Sequence, residues 1–220
     1  MTLVEYVSDW VDEAGLHVEE VGYCITFVRG VQPRAALRGL GIEDADIRTG
    51  TWNELTDYAD SREPRGHYNA TTAFSVGEFA VVVEDRGYRG SLPEWQLALS
   101  EGTELINVHE VPVRGCQQLT IVENGAQVAC VHGDDLADGP EDRPDGLKAV
   151  QTEDEELAAR LSLLIRSALR PFEKGDEPPE DFEDGWVDLL QVACDYLGLR
   201  PAVRHIEGPL LGAAVSLLPV

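Results

Sequence analysis

His132-Gly133-Asp134-Asp135 is the densest group of candidate metal ligands and acid/base side chains in the chain, where an apolar run gives way to a polar one. An imidazole beside carboxylates is what water activation by a hydrolytic enzyme requires, and loops that follow strands often carry such groups. A metal centre needs three or more converging ligands. Neither HxH, HExxH nor a second spaced cluster accompanies these residues, so no metal is expected. Asp134, Asp138, Gly139, Asp142 and Asp145 fall at the first, fifth, sixth, ninth and twelfth positions of a calcium loop. The pattern breaks at Leu136 in the third position, at Asp145 in place of the final Glu, and at the stiffening Pro140 and Pro144.

His109 and Glu110 are neighbours on an alternating segment, so they face opposite sides and cannot act as a pair with each other. His109 remains able to meet a distant carboxylate. His17, His67 and His205 have no Ser or Cys beside them in a nucleophile context, and no GxSxG occurs. No GxxxxGK[ST] is present, and Gly39 and Gly41 close a helix rather than opening one, so no nucleotide cofactor is expected. The catalytic candidates are therefore His132, Asp134, Asp135 and His109.

The elements that must position these groups follow from periodicity. Leu3, Val4, Val7, Trp10, Val11 and Ala14 recur at helical spacing around an acidic face, and Gly15 marks a stop. Gly22 to Arg29 is aromatic and β-branched, which predicts a buried strand, and Gln32 to Leu40 predicts a short helix with Pro33 in its first turn. Thr51 and Glu54 have the spacing of a capping box for a helix through Tyr58. Ser61 to Thr72, rich in Pro, Gly, Arg and Asn, reads as a loop before a strand at Glu78 to Glu84. A helix at Pro93 to Leu99, started by Ser91, precedes a strand at Thr103 to Val111.

Asn124-Gly125 between Gln117 to Glu123 and Ala126 to His132 predicts a two-residue hairpin. With Glu123 opposite Ala126, a regular ladder sets Ile121 against Val128 and Leu119 against Cys130, all on one face, with Thr120 and Ala129 on the other. Cys130 is then a core residue. Cys116 lies too far along the ladder for a disulfide, and the scattered cysteines Cys24, Cys116, Cys130 and Cys194 read as buried thiols of a reducing compartment.

Beyond the hairpin lie an acidic loop from Gly133 to Val150, a helix from Thr152 to Arg170 with a Thr152–Glu155 capping box, and a Pro-rich acidic linker at 171–185. A helix from Trp186 to Leu197 stops at Gly198. Leu199 to Val220, with three prolines, reads as a strand pair or a docked irregular tail. Trp10, Trp52, Trp95 and Trp186 fall in apolar helical stripes, where core packing is the commoner role. The expected fold is α+β, an antiparallel-rich sheet with packed helices and a C-terminal helical extension. Residues 1–150 form the core domain, and 151–220 form a helical region packed on it through the linker.

Across 220 residues, 17 Lys and Arg face 41 Asp and Glu, a formal net charge of −24. Gly133 to Asp188 holds 18 of the acids and 6 of the bases. Such a chain repels phosphate backbones and anionic lipid, and no apolar run is long enough to span a membrane. The first fifteen residues contain acids and no bases, the reverse of a secretory leader, which points to the cytoplasm.

The tract Tyr23-Cys24-Ile25-Thr26-Phe27-Val28-Arg29-Gly30, followed by Gln32 to Gly41, resembles an uncharacterised family of actinobacterial cytosolic proteins catalogued as a domain of unknown function. Phe79 to Gly90, Ala98 to Val108 and the Leu119 to Val131 hairpin extend the resemblance, which covers about Tyr23 to Leu147. It implies a bacterial cytosolic protein and no reaction. The Trp-Gly such proteins often carry near the end of this region is absent at Arg143 to Leu147.

The expected function is an acidic binding module of immunity, antitoxin or regulatory type that engages a basic protein partner. Its surface would comprise Asp134, Asp135, Asp138, Glu141 and Asp142 in the loop and Glu177, Glu180 and Asp181 in the linker. The alternative is a small hydrolytic enzyme whose His/Asp site lies at the end of the 117–132 hairpin.

Overall fold

A computed structural model describes residues 7–13, 22–111, 116–133, 149–170 and 186–217. A single 3-10 turn at Val7–Asp9 leads into α1 (Trp10–Glu13). The rest of the expected N-terminal helix lies outside the described residues. There follow β1 (Tyr23–Arg29), α2 (Pro33–Gly39), β2 (Arg48–Gly50), α3 (Trp52–Asp60), β3 (Tyr68–Val76) and β4 (Phe79–Asp85). Then come α4 (Pro93–Leu99), β5 (Glu104–Val111), β6 (Cys116–Glu123), β7 (Ala126–His132) and β8 (Val150–Gln151). The chain continues through α5 (Glu155–Ser167), β9 (Leu169–Arg170), β10 (Trp186–Val187), α6 (Leu189–Leu197) and β11 (Leu210–Ser216).

Nine strands form one sheet in the order β2-β11-β3-β4-β1-β5-β6-β7-β8, every neighbouring pair antiparallel. The architecture is α+β. On one face Ile25, Phe27, Val81, Val83, Ile106 and Leu119 pack with Trp10, Leu55 of α3, Leu161 of α5 and Leu190 of α6. On the other, Val28, Ala80, Val82, Leu105 and Val122 pack against Ala36, Leu37 and Leu99 of α2 and α4. Because both faces are covered, the central strands are buried almost throughout, which is why β1 and β4 read as continuous apolar runs rather than alternating ones.

Local signals set several ends as expected. Thr51 Oγ1 accepts from Glu54 N and Glu54 Oε2 from Thr51 N, the reciprocal capping box of α3. Gly198 ends α6 in the left-handed region at φ 65°. Other expectations are corrected. Ser61 to Thr72 is not all loop, because β3 begins at Tyr68 and pairs with β4 on one side and β11 on the other. Its buried Asn69, Thr71 and Thr72 mask a strand whose stability comes from its neighbours. Leu92, not Ser91, occupies the N-cap of α4, and the Ser91 hydroxyl donates to Tyr88 O at 2.7 Å. Asp154 caps α5 in place of Thr152, its Oδ1 accepting from Glu156 N and Leu157 N.

The hairpin turn is where expected, with Asn124 and Gly125 at φ 50° and 76°, but the ladder slips. A β-bulge leaves Val128 unpaired between Gln127, opposite Val122, and Ala129, opposite Ile121. Leu119 therefore meets Val131 and Thr120 meets Cys130, so Cys130 is buried as expected but on the face opposite Leu119 and Ile121. All four cysteines are free. In the segment read as a strand pair or irregular tail, a single strand, β11, inserts between β2 and β3. No helix among the described residues is long and apolar enough to cross a membrane.

Candidate functional site

Side chains directly opposite one another in a sheet share a face, so the register shows which polar residues meet. Thr71 lies opposite Glu84, Glu84 opposite Cys24, Cys24 opposite His109, His109 opposite Gln118, and Gln118 opposite His132. These residues cross six strands in one line, on the same face as α2 and α4. The next line runs through Thr26, Asn107, Thr120 and Cys130. A polar band thus fills the part of this face beyond the apolar cluster.

Glu84 is the most deeply buried carboxylate of the band, 1% exposed. Its Oε1 accepts from Gly90 N at 2.6 Å and its Oε2 from Arg89 N at 3.0 Å, so it anchors the loop after β4. Burial pushes the Glu84 carboxyl up, against the pull of these two N–H groups. The loop can lie this close only because residues 87 and 90 are glycine: a Cβ on Gly90 would fall 2.4 Å from Thr26 Oγ1, and one on Gly87 would fall 2.2 Å from Asn69 Nδ2. Asn107 Nδ2 donates to Thr26 Oγ1 at 2.9 Å and to Cys24 Sγ at 3.1 Å. Burial pushes the Cys24 thiol up, and Glu84 adds to it, so Cys24 is held as a neutral thiol.

At the other end, His132 Nε2 lies 3.3 Å from Cys130 Sγ, and Gln118 Nε2 donates to the same sulfur at 3.1 Å. Cys130 and His132, two apart on β7, share a face, and the bulge at Val128 puts Gln118 and Thr120 of β6 on that face with them. His109 sits two strands away across Gln118, and burial holds its imidazole below the ordinary range, with Glu110 acting in the opposite direction. The register brings His109 and His132 to one face. Asp134, Asp135, Asp138, Glu141, Asp142, Glu177, Glu180 and Asp181 lie outside the described residues. Among the described residues, no group of three or more His, Cys, Asp or Glu is arranged to hold a metal.

Two cavities flank these elements. An open cleft of about 610 Å³ lies between the bulged hairpin and the start of α5, lined by Glu123, Glu153 and Asp154, the amides of Gln127 and Gln151, and the apolar Val128 and Leu157. Among the described residues, no basic side chain lines it. Elsewhere Arg29, Arg34, Arg86, Arg170 and Arg200 are ion-paired, and Arg48, Arg62, Arg89 and Arg160 lie over aromatic rings. The positive charge of the described surface is thus largely engaged by the chain itself. The second cavity, of about 260 Å³, lies over Glu84 between the loop after β4, the start of α4 and the end of β11.

Sequence reasoning found His109 and His132 but not Glu84, Cys130 as a partner of His132, or the cleft. A Glu inside a run of valines was the one available signal for Glu84. The model of a family described as "Family of unknown function (DUF6461)" matches residues 2–153. No curated protein and no solved structure matches the chain.

Proposed function

Because the chain belongs to the DUF6461 family of unknown function, which brings no reaction with it, we propose that it is an acidic binding protein of immunity, antitoxin or regulatory type that engages a basic protein partner. We place its action in the cytoplasm, where its free thiols would stay reduced; the tract at Tyr23 to Gly30 supports an actinobacterial source. The observation that carries the reading is the cleft beside the bulge. An Arg or Lys side chain from a partner would lay its stem on Val128 and Leu157 and set its charge among Glu123, Glu153 and Asp154. The net charge of −24 would speed the encounter and make it salt-sensitive. The acidic loop and linker, from Asp134 to Asp142 and from Glu177 to Asp181, would extend the same field.

The test is capture from a lysate of the source cell at low and high salt, read by mass spectrometry, with a Glu123→Lys/Glu153→Lys double variant as comparison. A basic protein retained in stoichiometric amount at low salt, released by high salt and lost from the double variant supports the reading. Equal capture by the double variant, or no partner at either salt, refutes it.

A second reading, a small hydrolytic enzyme at the end of the hairpin, is favoured by the contact of His132 with Cys130. A thiol with an imidazole in reach is the usual pair for nucleophilic attack on an ester or amide. Ester hydrolysis abolished by both Cys130→Ser and His132→Ala would support it. Turnover that survives both would rule it out.

A further inference from the structure

We propose that the cavity over Glu84 binds a small zwitterion of the amino-acid class. It stands apart from the acidic cleft and does not depend on a protein partner. At about 260 Å³ the cavity is near the small end for ligand sites, which fits one amino-acid-sized molecule and not a nucleotide.

Its polar groups have two signs. Glu84 and Asn69, each 1% exposed, form its floor. The Glu84 carboxylate is fixed by Gly90 N and Arg89 N, one bond to each oxygen, and it also takes a hydrogen bond from the Cys24 thiol, which leaves one of its about four lone-pair sites for a ligand ammonium. Asn69 Nδ2 is turned toward Thr71 Oγ1 at 3.4 Å, and its carbonyl oxygen is a further acceptor. Glu94, exposed in the first turn of α4, adds a second carboxylate at the rim. The opposite sign comes from Arg89, whose Nη1 donates to Leu40 O at 3.0 Å and whose guanidinium lies 5.6 Å from the Trp95 ring centroid. Its remaining N–H donors match a carboxylate.

A purely anionic ligand would meet two carboxylates, and a purely cationic one would leave Arg89 unmatched. A molecule that carries an ammonium and a carboxylate on one carbon satisfies both. Leu92, Trp95 and Val215 offer an apolar wall for its side chain.

The experiment is calorimetric titration of the full chain with each standard amino acid at millimolar concentration, then with des-amino and decarboxylated analogues of any that binds. One amino acid is expected to bind saturably. Loss of either charged group, or Glu94→Gln, should weaken it by about tenfold, equivalent to about 1.4 kcal/mol. Glu94→Gln lies on the exposed rim and keeps the test valid if Glu84→Gln fails to fold. Absence of binding by every amino acid overturns the proposal. So does a des-amino analogue that binds as well as the parent, or an affinity that Glu94→Gln leaves unchanged. Saturable binding of free guanine with no amino acid bound also overturns it, since a flat base would then be the ligand.

Discussion

The Arg170 guanidinium pairs with the Asp188 carboxylate, joining the strand after α5 to the cap of α6. Ser8 Oγ donates to Asp188 Oδ2 at 2.5 Å, and Asp9 accepts from Arg170 Nη1 at 2.8 Å, so the first described residues of the chain are bound to the same two groups. Burial pushes the Asp188 carboxyl up while Arg170 pulls it down; burial also works against the Arg170 charge, but Asp188 and Asp9 outweigh it. The ion pair is the state this geometry supports, because Gln191 N also donates to Asp188 Oδ1 at 2.9 Å.

Arg170→Met leaves Asp188 buried without its counter-charge. The expected loss is about 3 kcal/mol of unfolding free energy, measured in urea. A loss below about 1 kcal/mol would place the pair among ordinary surface bridges.

Glu84 gives stability a pH dependence of definite sign. Its folded-state pKa is raised above 4.5, so between those two values the folded chain holds a proton that the unfolded chain has released. Its contribution is fully present below 4.5 and declines as pH rises through the folded value. The difference in unfolding free energy between the parent and Glu84→Gln should fall over that window and then level off. A difference that does not change with pH would contradict the assignment.

His109 has the opposite dependence. Burial lowers its folded pKa below 6.5, so as pH falls through 6.5 the unfolded chain takes up a proton that the folded chain refuses. Stability is lost in that direction until the folded value is passed. Imidazole resonances followed by NMR should give His109 a midpoint below 6.5, and His109→Gln should flatten the acid-side loss; a midpoint above 6.5 would reverse the sign.

Gly212 is where β11 passes under α3. A Cβ there would fall 2.8 Å from Leu55 Cδ1 and 3.0 Å from Thr71 O. Gly212→Val is expected to cost about 2 kcal/mol by overpacking, read as a lower urea midpoint. Gly208→Ala, which meets nothing within 4 Å, is the control and should stay close to the parent.

Features decided by neighbouring residues were legible in the sequence. The Thr51–Glu54 box, the Asn124-Gly125 turn and the stop at Gly198 each depend on a few adjacent positions. Features decided by distant partners were not. β3 is a strand because β4 and β11 flank it, although Asn69, Thr71 and Thr72 read as loop. The bulge at Val128 shifts the ladder so that Ala129 meets Ile121 and Cys130 meets Thr120, and a regular hairpin pattern contains no sign of it. The alignment of Glu84, Cys24, His109, Gln118 and His132 exists only once four pairings are fixed. Histidines stand out in a sequence by type, whereas Glu84 gains its character from burial.

β11 lies second from one edge of the sheet and is the last of its strands to leave the ribosome. Until residues 210–216 emerge, the nine-residue β3 has one bare edge, and β2 has no strand to pair with. The stretch matched by the family, residues 2–153, therefore reaches its full sheet only when later-synthesised residues thread into it. Completion of this sheet waits on residues made after the whole family-matched stretch, and a nascent chain stalled before residue 210 would present β3 to the cell as an open template for strand addition.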